Sequence, residues 1–212
     1  ARATHRQIHE RAAEGNRYPL LADVAGGIGD PQVRNWGTIG GSVAHADPSS
    51  DWPAALLALK ATIVCKGSTG ERQIGARDFF LDTFTTAIQP TEVLTEIRIP
   101  RRVRGSAGAY KKLERRTGDF ATVGVAAIVR LTPDGKIGSS GIGITGVSAI
   151  AYRATAVEKA LRGKSAADLA GAAAQAGADV EFIGDTYASS EYRQHLVTVM
   201  TRRALEEAMS KK

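Results

Sequence analysis

The sequence predicts an α+β fold, and three observations carry that prediction. Strand patterns and helix patterns fall in separate runs, without the alternation that a doubly wound parallel sheet requires. The second half opens with three strand candidates and continues with three helix candidates. Between the halves, "RRVRGSAG" (101–108) has the composition of a linker, and 212 residues are enough for two small domains. The expected organisation is therefore residues 1–102 as a first domain with a small, mostly antiparallel sheet and helices, and residues 103–212 as a three-stranded sheet covered by three helices.

The elements are expected in the following order. Residues 4–15 read as a helix with Thr4 as its N-cap. His5 and His9 stand one helical turn apart, a spacing that a metal can use. No third ligand pattern accompanies them, so they are expected on an exposed face. Residues 26–53 are rich in Gly, Pro, Asp and Ser and read as a long ordered loop, held by Val33, Trp36, Ile39 and Val43. "SSDWPAALLALKA" then begins a helix, with Ser50 or Asp51 as N-cap and Pro53 in the first turn. "ATIVCKG" reads as a strand, followed by the turn "STGE", a short strand at "RQI" and a helical turn at "ARDFFLD". "EVLTEIRIP" alternates with period two, placing Val93, Thr95, Ile97 and Ile99 on one face and Leu94, Glu96 and Arg98 on the other.

In the second half the strands are "AYKKLERR", "FATVGVAAIVRL" and "KIGSSGIGITGVSAI", the last two joined through the Asp134-Gly135 turn. Helices are expected over 153–163, 166–178 and 189–208. The last shows Tyr192, Leu196, Val199 and Met200 at the spacing of a core face.

Composition excludes several function classes. No apolar run approaches the ~18 residues that span a bilayer. The net charge of +6 favours acidic partners in general. The basic runs "RRVRG" and "KKLERR" are short and lack interleaved aromatic stacking platforms, so nucleic acid is not expected as a partner. The single cysteine, Cys65, can form no internal disulfide and cannot hold a cluster alone; in "ATIVCKG" it reads as a small buried hydrophobe. A cytoplasmic setting fits, with the inner face of the membrane as the alternative place. No nucleophile–His–acid pattern is found, so no catalytic residue and no metal ligand is assigned.

Two glycine motifs need separate readings. "GIGITG" (Gly141–Gly146) matches the dinucleotide fingerprint, which would make the chain a Rossmann-type NAD-dependent dehydrogenase. The fingerprint needs a helix opening on it, and here alternation continues through Ile142 and Ile144 as in a strand. "TIGGS" (Thr38–Ser42) has no P-loop lysine. Its adjacent glycines could expose consecutive N–H donors, with hydroxyls from Thr38 and Ser42 beside them and Asp51 nearby to accept hydrogen bonds from a ligand's hydroxyls. Composition alone leaves both a ligand loop and a structural loop open.

Three longer stretches carry a resemblance: "IGDPQVRNWGTIGGSVAHADPSSDWPAALLAL", "TEVLTEIRIP" and "AYKKLERRTGDFATVGVAA". Together, in this order, they resemble the FAD-binding medium subunit of the molybdenum hydroxylase family, nearest its aerobic carbon monoxide dehydrogenase branch and more distantly xanthine dehydrogenase. The resemblance covers nearly the whole chain. It implies that Thr38, Ile39, Gly40, Gly41 and Ser42 form a pyrophosphate-binding loop and that Asp51 contacts the ribityl or ribose region. It further implies that Ile28 lies against the cofactor, that Leu94 packs on the isoalloxazine ring, and that Lys111, following Tyr110, supplies positive charge near the flavin.

The resemblance also implies an oxidoreductase subunit that passes electrons through FAD to an external acceptor. The molybdenum cofactor and the 2Fe–2S clusters would sit in a large and a small partner subunit, in a heterotrimer or a dimer of heterotrimers. The family begins with a further FAD subdomain carrying a first glycine-rich loop, which is not found here. "VAGGIGDPQ" (24–32) contains AGG but stands just before the second loop. The chain, which does not begin with Met, is therefore expected to be truncated. An FAD-free fragment serving as a docking scaffold is the alternative.

Overall fold

The computed structural model describes residues 1–211. Its first half is built on helices that each begin at a group suited to a helix start. α1 (His5–Ala13) opens on Thr4, whose hydroxyl accepts from the Gln7 N–H while the Gln7 side chain accepts from the Thr4 N–H. α2 (Pro19–Gly26) and α3 (Pro31–Trp36) carry proline in their first turn, where its missing N–H costs little. Asp30 caps α3 by accepting from the Val33 N–H at 2.8 Å. α4 (Ile39–His45) is capped by Thr38 and stops at Ala46, which is left-handed with φ of 53°. α5 (Asp51–Leu59) stops in the same way at Lys60.

Residues 26–53 are thus not the long loop that their composition suggests. The Asp, Thr and Pro that look like turn formers are the caps and first-turn residues of two short helices. Neither is long enough to stand alone, so tertiary contacts hold them.

β1 (Thr62–Gly67) forms a hairpin with β2 (Gly70–Gly75). After the single turn α6 (Ala76–Phe79), β3 (Phe80–Asp82) and β4 (Thr85–Thr86) make a small ladder. β5 (Val93–Arg98) then pairs with the other edge of β1, so the antiparallel order is β2-β1-β5. Cys65 is fully buried there, as its setting suggests. On β5 Leu94 is buried and Val93 exposed, while Ile97 and Ile99, on the face of Val93, pack partly buried against the core of the first half.

The second sheet is antiparallel in the order β6 (Ser106–Leu113), β7 (Val123–Leu131), β8 (Ile137–Thr145), β9 (Tyr152–Arg153). The three expected strands form its body, and the two-residue β9 adds a fourth. α7 (Thr155–Leu161), α8 (Leu169–Ala173) and α9 (Ser190–Ser210) follow. α9 is capped by the Ser189 hydroxyl, which accepts from the Tyr192 N–H. Its buried stripe runs through Leu196, Val197, Met200, Ala204, Leu205 and Ala208; Tyr192, expected on that stripe, is exposed. The four-residue spacing from Tyr192 to Leu196 hides a drift of the stripe that only the packed sheet defines.

This sheet faces two cores. Val123, Val125, Ala127 and Ile142 pack with α9, whereas Tyr110 and Ala126 belong to the core of the first half with Trp52 and Leu56 of α5. α5 therefore lies directly on the second sheet, and the two halves are joined by packing as well as by the segment 99–105. The GIGITG motif explains how closely it lies. A Cβ on Gly141 would stand 2.1 Å from the Ala58 carbonyl oxygen, and one on Gly143 would stand 1.9 Å from that of Ala54. These glycines admit a helix backbone onto a strand. They sit in an antiparallel strand, outside any βαβ unit, so the dinucleotide reading has no structural basis.

Gly143→Ala is expected to destabilise the fold by about 3 kcal/mol, the upper end for overpacking, because the neighbour is backbone. Gly171→Ala, on α8 with open space around it, is expected to be neutral or stabilising by up to ~1 kcal/mol. Urea unfolding of both variants checks the contrast; equal effects would count against the close helix–strand contact.

Candidate functional site

A cavity of about 500 Å³ opens in front of the α5 N-terminus, within the range of ligand sites. α3 and α4 form one wall and the Phe120 side chain stands at the rim, 61% exposed. Of the residues singled out from the sequence, Ile28, Thr38, Gly41, Ser42 and Asp51 line it together. Ile39 and Gly40 are buried behind them, Leu94 lies within the core of the first half, and Tyr110 sits beneath Asp51.

The first turn of α4 does not offer a row of free amides. Ile39 N–H donates to the Ala3 carbonyl at 3.0 Å and Gly40 N–H to the Ala1 carbonyl at 2.9 Å. Gly41 N–H donates to the Thr38 hydroxyl oxygen at 3.1 Å. The donors left on this wall are hydroxyls: those of Thr38 and Ser42, and Ser50 Oγ, which is buried without a partner. An orphaned buried hydroxyl on a residue that lines a cavity suits a ligand rich in oxygen acceptors.

Asp51 is the charged centre of the site. The Tyr110 hydroxyl donates to its Oδ1 at 2.5 Å, and Lys112 Nζ stands 3.4 Å from its Oδ2. Lys112 is itself almost buried. It donates to the Gly27 carbonyl at 2.8 Å and the Asp119 carbonyl at 3.1 Å, and it pairs with Glu114 at 2.8 Å. One ammonium thereby ties the end of α2, β6 and the 119–120 segment to Asp51. Burial pushes the Asp51 carboxyl up from 3.8 to about 6, with Lys112 and the Tyr110 hydrogen bond pulling the other way. Burial and the neighbouring Asp51 push the Tyr110 phenol well above its ordinary range.

The basic residue of β6 that meets Asp51 is therefore Lys112. Lys111, assigned to the flavin by resemblance, points to the opposite face of the strand and pairs with Glu207 of α9. Strand alternation from Tyr110 would have placed residue 112 beside it. His5 also departs from expectation. Instead of lying on an exposed face it is 4% exposed, lines the cavity, and accepts a hydrogen bond at Nδ1 from Trp52 Nε1 at 3.1 Å. Burial, then the charge of Arg34, hold its pKa below the usual histidine value.

The set of hydroxyl donors, one buried carboxylate and apolar walls from Ile28, Val33 and Trp36 fits a ligand with phosphate, sugar hydroxyl and flat ring parts. Among the described residues no group of three His, Cys, Asp or Glu side chains comes together to hold a metal ion, and no helix is long and apolar enough to cross a membrane.

Comparison with known proteins bears on the same residues. Residues 1–102 match the family described as the FAD binding domain in molybdopterin dehydrogenase, and residues 108–208 match the CO dehydrogenase flavoprotein C-terminal domain. A carbon monoxide dehydrogenase medium chain from Hydrogenophaga pseudoflava is 39% identical over 200 residues, 92% of this chain and 68% of that protein. A glyceraldehyde dehydrogenase medium chain from Sulfolobus acidocaldarius is 38% identical over 194 residues, 91% of this chain and 68% of that one. A solved carbon monoxide dehydrogenase from Hydrogenophaga pseudoflava, lacking the Mo-pyranopterin moiety of its molybdenum cofactor, superposes with a TM-score of 0.93 at 39% identity. The match covers 98% of this chain and 73% of that one.

The raised Asp51 pKa sets a pH dependence. The folded state binds the extra proton between the ordinary value of 3.8 and about 6. The contribution is therefore full below 3.8 and is lost as pH rises through about 6. Relative to Asp51→Asn, the wild-type chain should lose on the order of 3 kcal/mol across that window. Urea unfolding at several pH values reads this; a constant difference would mean that the Asp51 pKa is the same in the folded and unfolded chain, and a rise in stability with pH would mean that the folded carboxylate is favoured.

Proposed function

Because this chain belongs to the family of FAD-binding medium subunits of molybdenum hydroxylases, we propose that it holds FAD in the cavity before α5 and serves as the flavin stage of an electron-transfer enzyme. Bound FAD supplies the redox centre; the chain's residues bind it, orient it and set its electrostatic surroundings. Residues 1–102 act as the FAD subdomain and residues 103–212 as the C-terminal domain. A large subunit carries the molybdenum cofactor, a small subunit carries 2Fe–2S clusters, and electrons leave through this chain to an external acceptor. The assembly is a heterotrimer or a dimer of heterotrimers. The 39% identity to a carbon monoxide dehydrogenase medium chain supports that branch.

The observation that carries the reading is a coincidence in space. The orphaned Ser50 hydroxyl and the Asp51 carboxylate border one cavity, inside the segment matched to an FAD-binding domain. Thr38 and Ser42 hydroxyls donate to phosphoryl oxygens on the α4 wall. Asp51 accepts from sugar hydroxyls, held in place by Tyr110 and Lys112. Ile28 offers an apolar surface.

A second reading, an FAD-free docking scaffold, is favoured by one observation: the Gly40 and Gly41 amides are already occupied. Flavin absorbance at about 450 nm in the purified intact chain separates the two. Gly41→Asp adds a carboxylate whose Cβ already meets Thr38 Oγ1 at 3.0 Å. It is expected to cut flavin content at least tenfold, roughly 1.4 kcal/mol or more, while the fold persists by circular dichroism. A colourless wild-type chain even after FAD addition would support the scaffold; an unaltered flavin content in Gly41→Asp would remove the α4 wall from the site.

A further inference from the structure

His5 carries a hydrogen-bonding role that nothing in its sequence position announces. Trp52 is fully buried, and its indole N–H is a donor with no acceptor capacity. That N–H points at His5 Nδ1 from 3.1 Å. Nδ1 must therefore be the bare nitrogen, since a proton there would leave two buried N–H groups facing each other with no acceptor between them. In a neutral imidazole the proton then resides on Nε2. The Nε2–Cδ2 edge lies against Gly37 on the cavity wall: a Cβ there would stand 2.7 Å from Nε2. Among the described residues, Nε2 has no hydrogen-bond partner. The ring is almost wholly buried and its backbone N–H is anchored to the Gly37 carbonyl at 3.0 Å, so the imidazole cannot readily swing aside.

We propose that Trp52 locks His5 as a neutral Nε2–H donor that hydrogen-bonds an oxygen on the phosphoryl part of the bound cofactor, one residue before the Thr38 cap. This rests on the reading that the cavity takes FAD. The placement supplies the α4 wall with an N–H donor that its own occupied amides do not provide. His5 is a binding residue in this assignment; Trp52 is a positioning residue that acts only through the His5 tautomer. His5 lines the cavity, and its Nε2 edge packs so closely on Gly37 that no side chain fits between them, so the ring keeps its place beside the α4 cap.

The test uses the intact flavin subunit with its histidine rings labelled with nitrogen-15. The His5 resonances should show Nδ1 unprotonated and Nε2 protonated, and the Nε2 signal should move on FAD addition. His5→Phe keeps the bulk, removes the donor, and should weaken FAD binding about 10- to 100-fold by flavin fluorescence, the range for a hydrogen bond to a charged acceptor. Trp52→Phe keeps His5 but frees its tautomer. It should weaken FAD binding by a smaller factor and shift the Nδ1 resonance towards the protonated form. Wild-type protein that binds no FAD would defeat the parent reading. Wild-type protein that binds FAD with Nε2 unprotonated or unmoved would overturn this inference alone, as would His5→Phe binding FAD within about twofold of wild type.

Discussion

The contact of α5 with β8 is the constraint on which the rest of the structure depends. Helix and strand meet so closely that the Ala54 and Ala58 carbonyls occupy the space where Gly143 and Gly141 would carry side chains. A backbone-to-backbone contact cannot slide without creating clashes or voids, so it fixes the height and direction of the helix. Everything at the α5 N-terminus inherits that position. Asp51 is held over Tyr110 and Lys112 of the neighbouring sheet, and Trp52, one residue on, is turned towards His5 of α1. A second glycine makes the same provision on the sheet: a Cβ on Gly124 would stand 2.3 Å from the Tyr110 hydroxyl, so only glycine leaves that ring its place.

The polar groups so placed are unfavourable for stability taken singly. Asp51 and Lys112 are each nearly buried, and removing two charges from water offsets much of their attraction. Lys112 recovers part of that cost by donating to two backbone carbonyls and pairing with Glu114. The Tyr110 hydroxyl satisfies one carboxylate oxygen. A hydrophobic cluster would fill the same volume with less penalty. That a carboxylate is retained at the mouth of a cavity, oriented from below by two side chains of one strand face, agrees with a binding role more readily than with a stabilising one.

Much of this was legible in the sequence, and the failures have physical causes. Separate runs of strands and helices gave the α+β class, the Asp134-Gly135 turn joins β7 and β8, and the glycines of GIGITG sit in a strand as their alternation indicated. The stretch 26–53 was misread because Asp30, Pro31 and Thr38 serve loops and helix starts equally well; tertiary contact decides which. His5 was placed on the surface because a histidine pair one turn apart looks the same whether it faces water or a tryptophan 47 residues away. Lys111 is assigned to the flavin by resemblance alone; strand periodicity puts Tyr110 and Lys112 on one face, and it is Lys112 that meets Asp51 while Lys111 pairs with Glu207. Leu94 was legible as an apolar position of an alternating strand, but its burial in the core of the first half, outside the lining of the cavity, depends on which face of β5 meets α4.

The occupied amides of α4 change what kind of recognition the cavity can use. A glycine-rich turn with free N–H groups binds phosphate through backbone, which tolerates substitution of the surrounding side chains. Here the Gly40 and Gly41 amides are committed to Ala1 and Thr38, and the helix is short, so its end offers little further field. Selectivity then passes to side chains whose protons are free to turn, the hydroxyls of Thr38, Ser42 and Ser50, and to the one donor whose direction is fixed, His5 Nε2. Freely rotating hydroxyls adapt to a ligand but specify it weakly; a ring locked by Trp52 sets a direction in advance and loses no rotamer freedom on binding. In the proposed cofactor cavity the glycines of TIGGS thus act by leaving room, and the side chains around them act by contact.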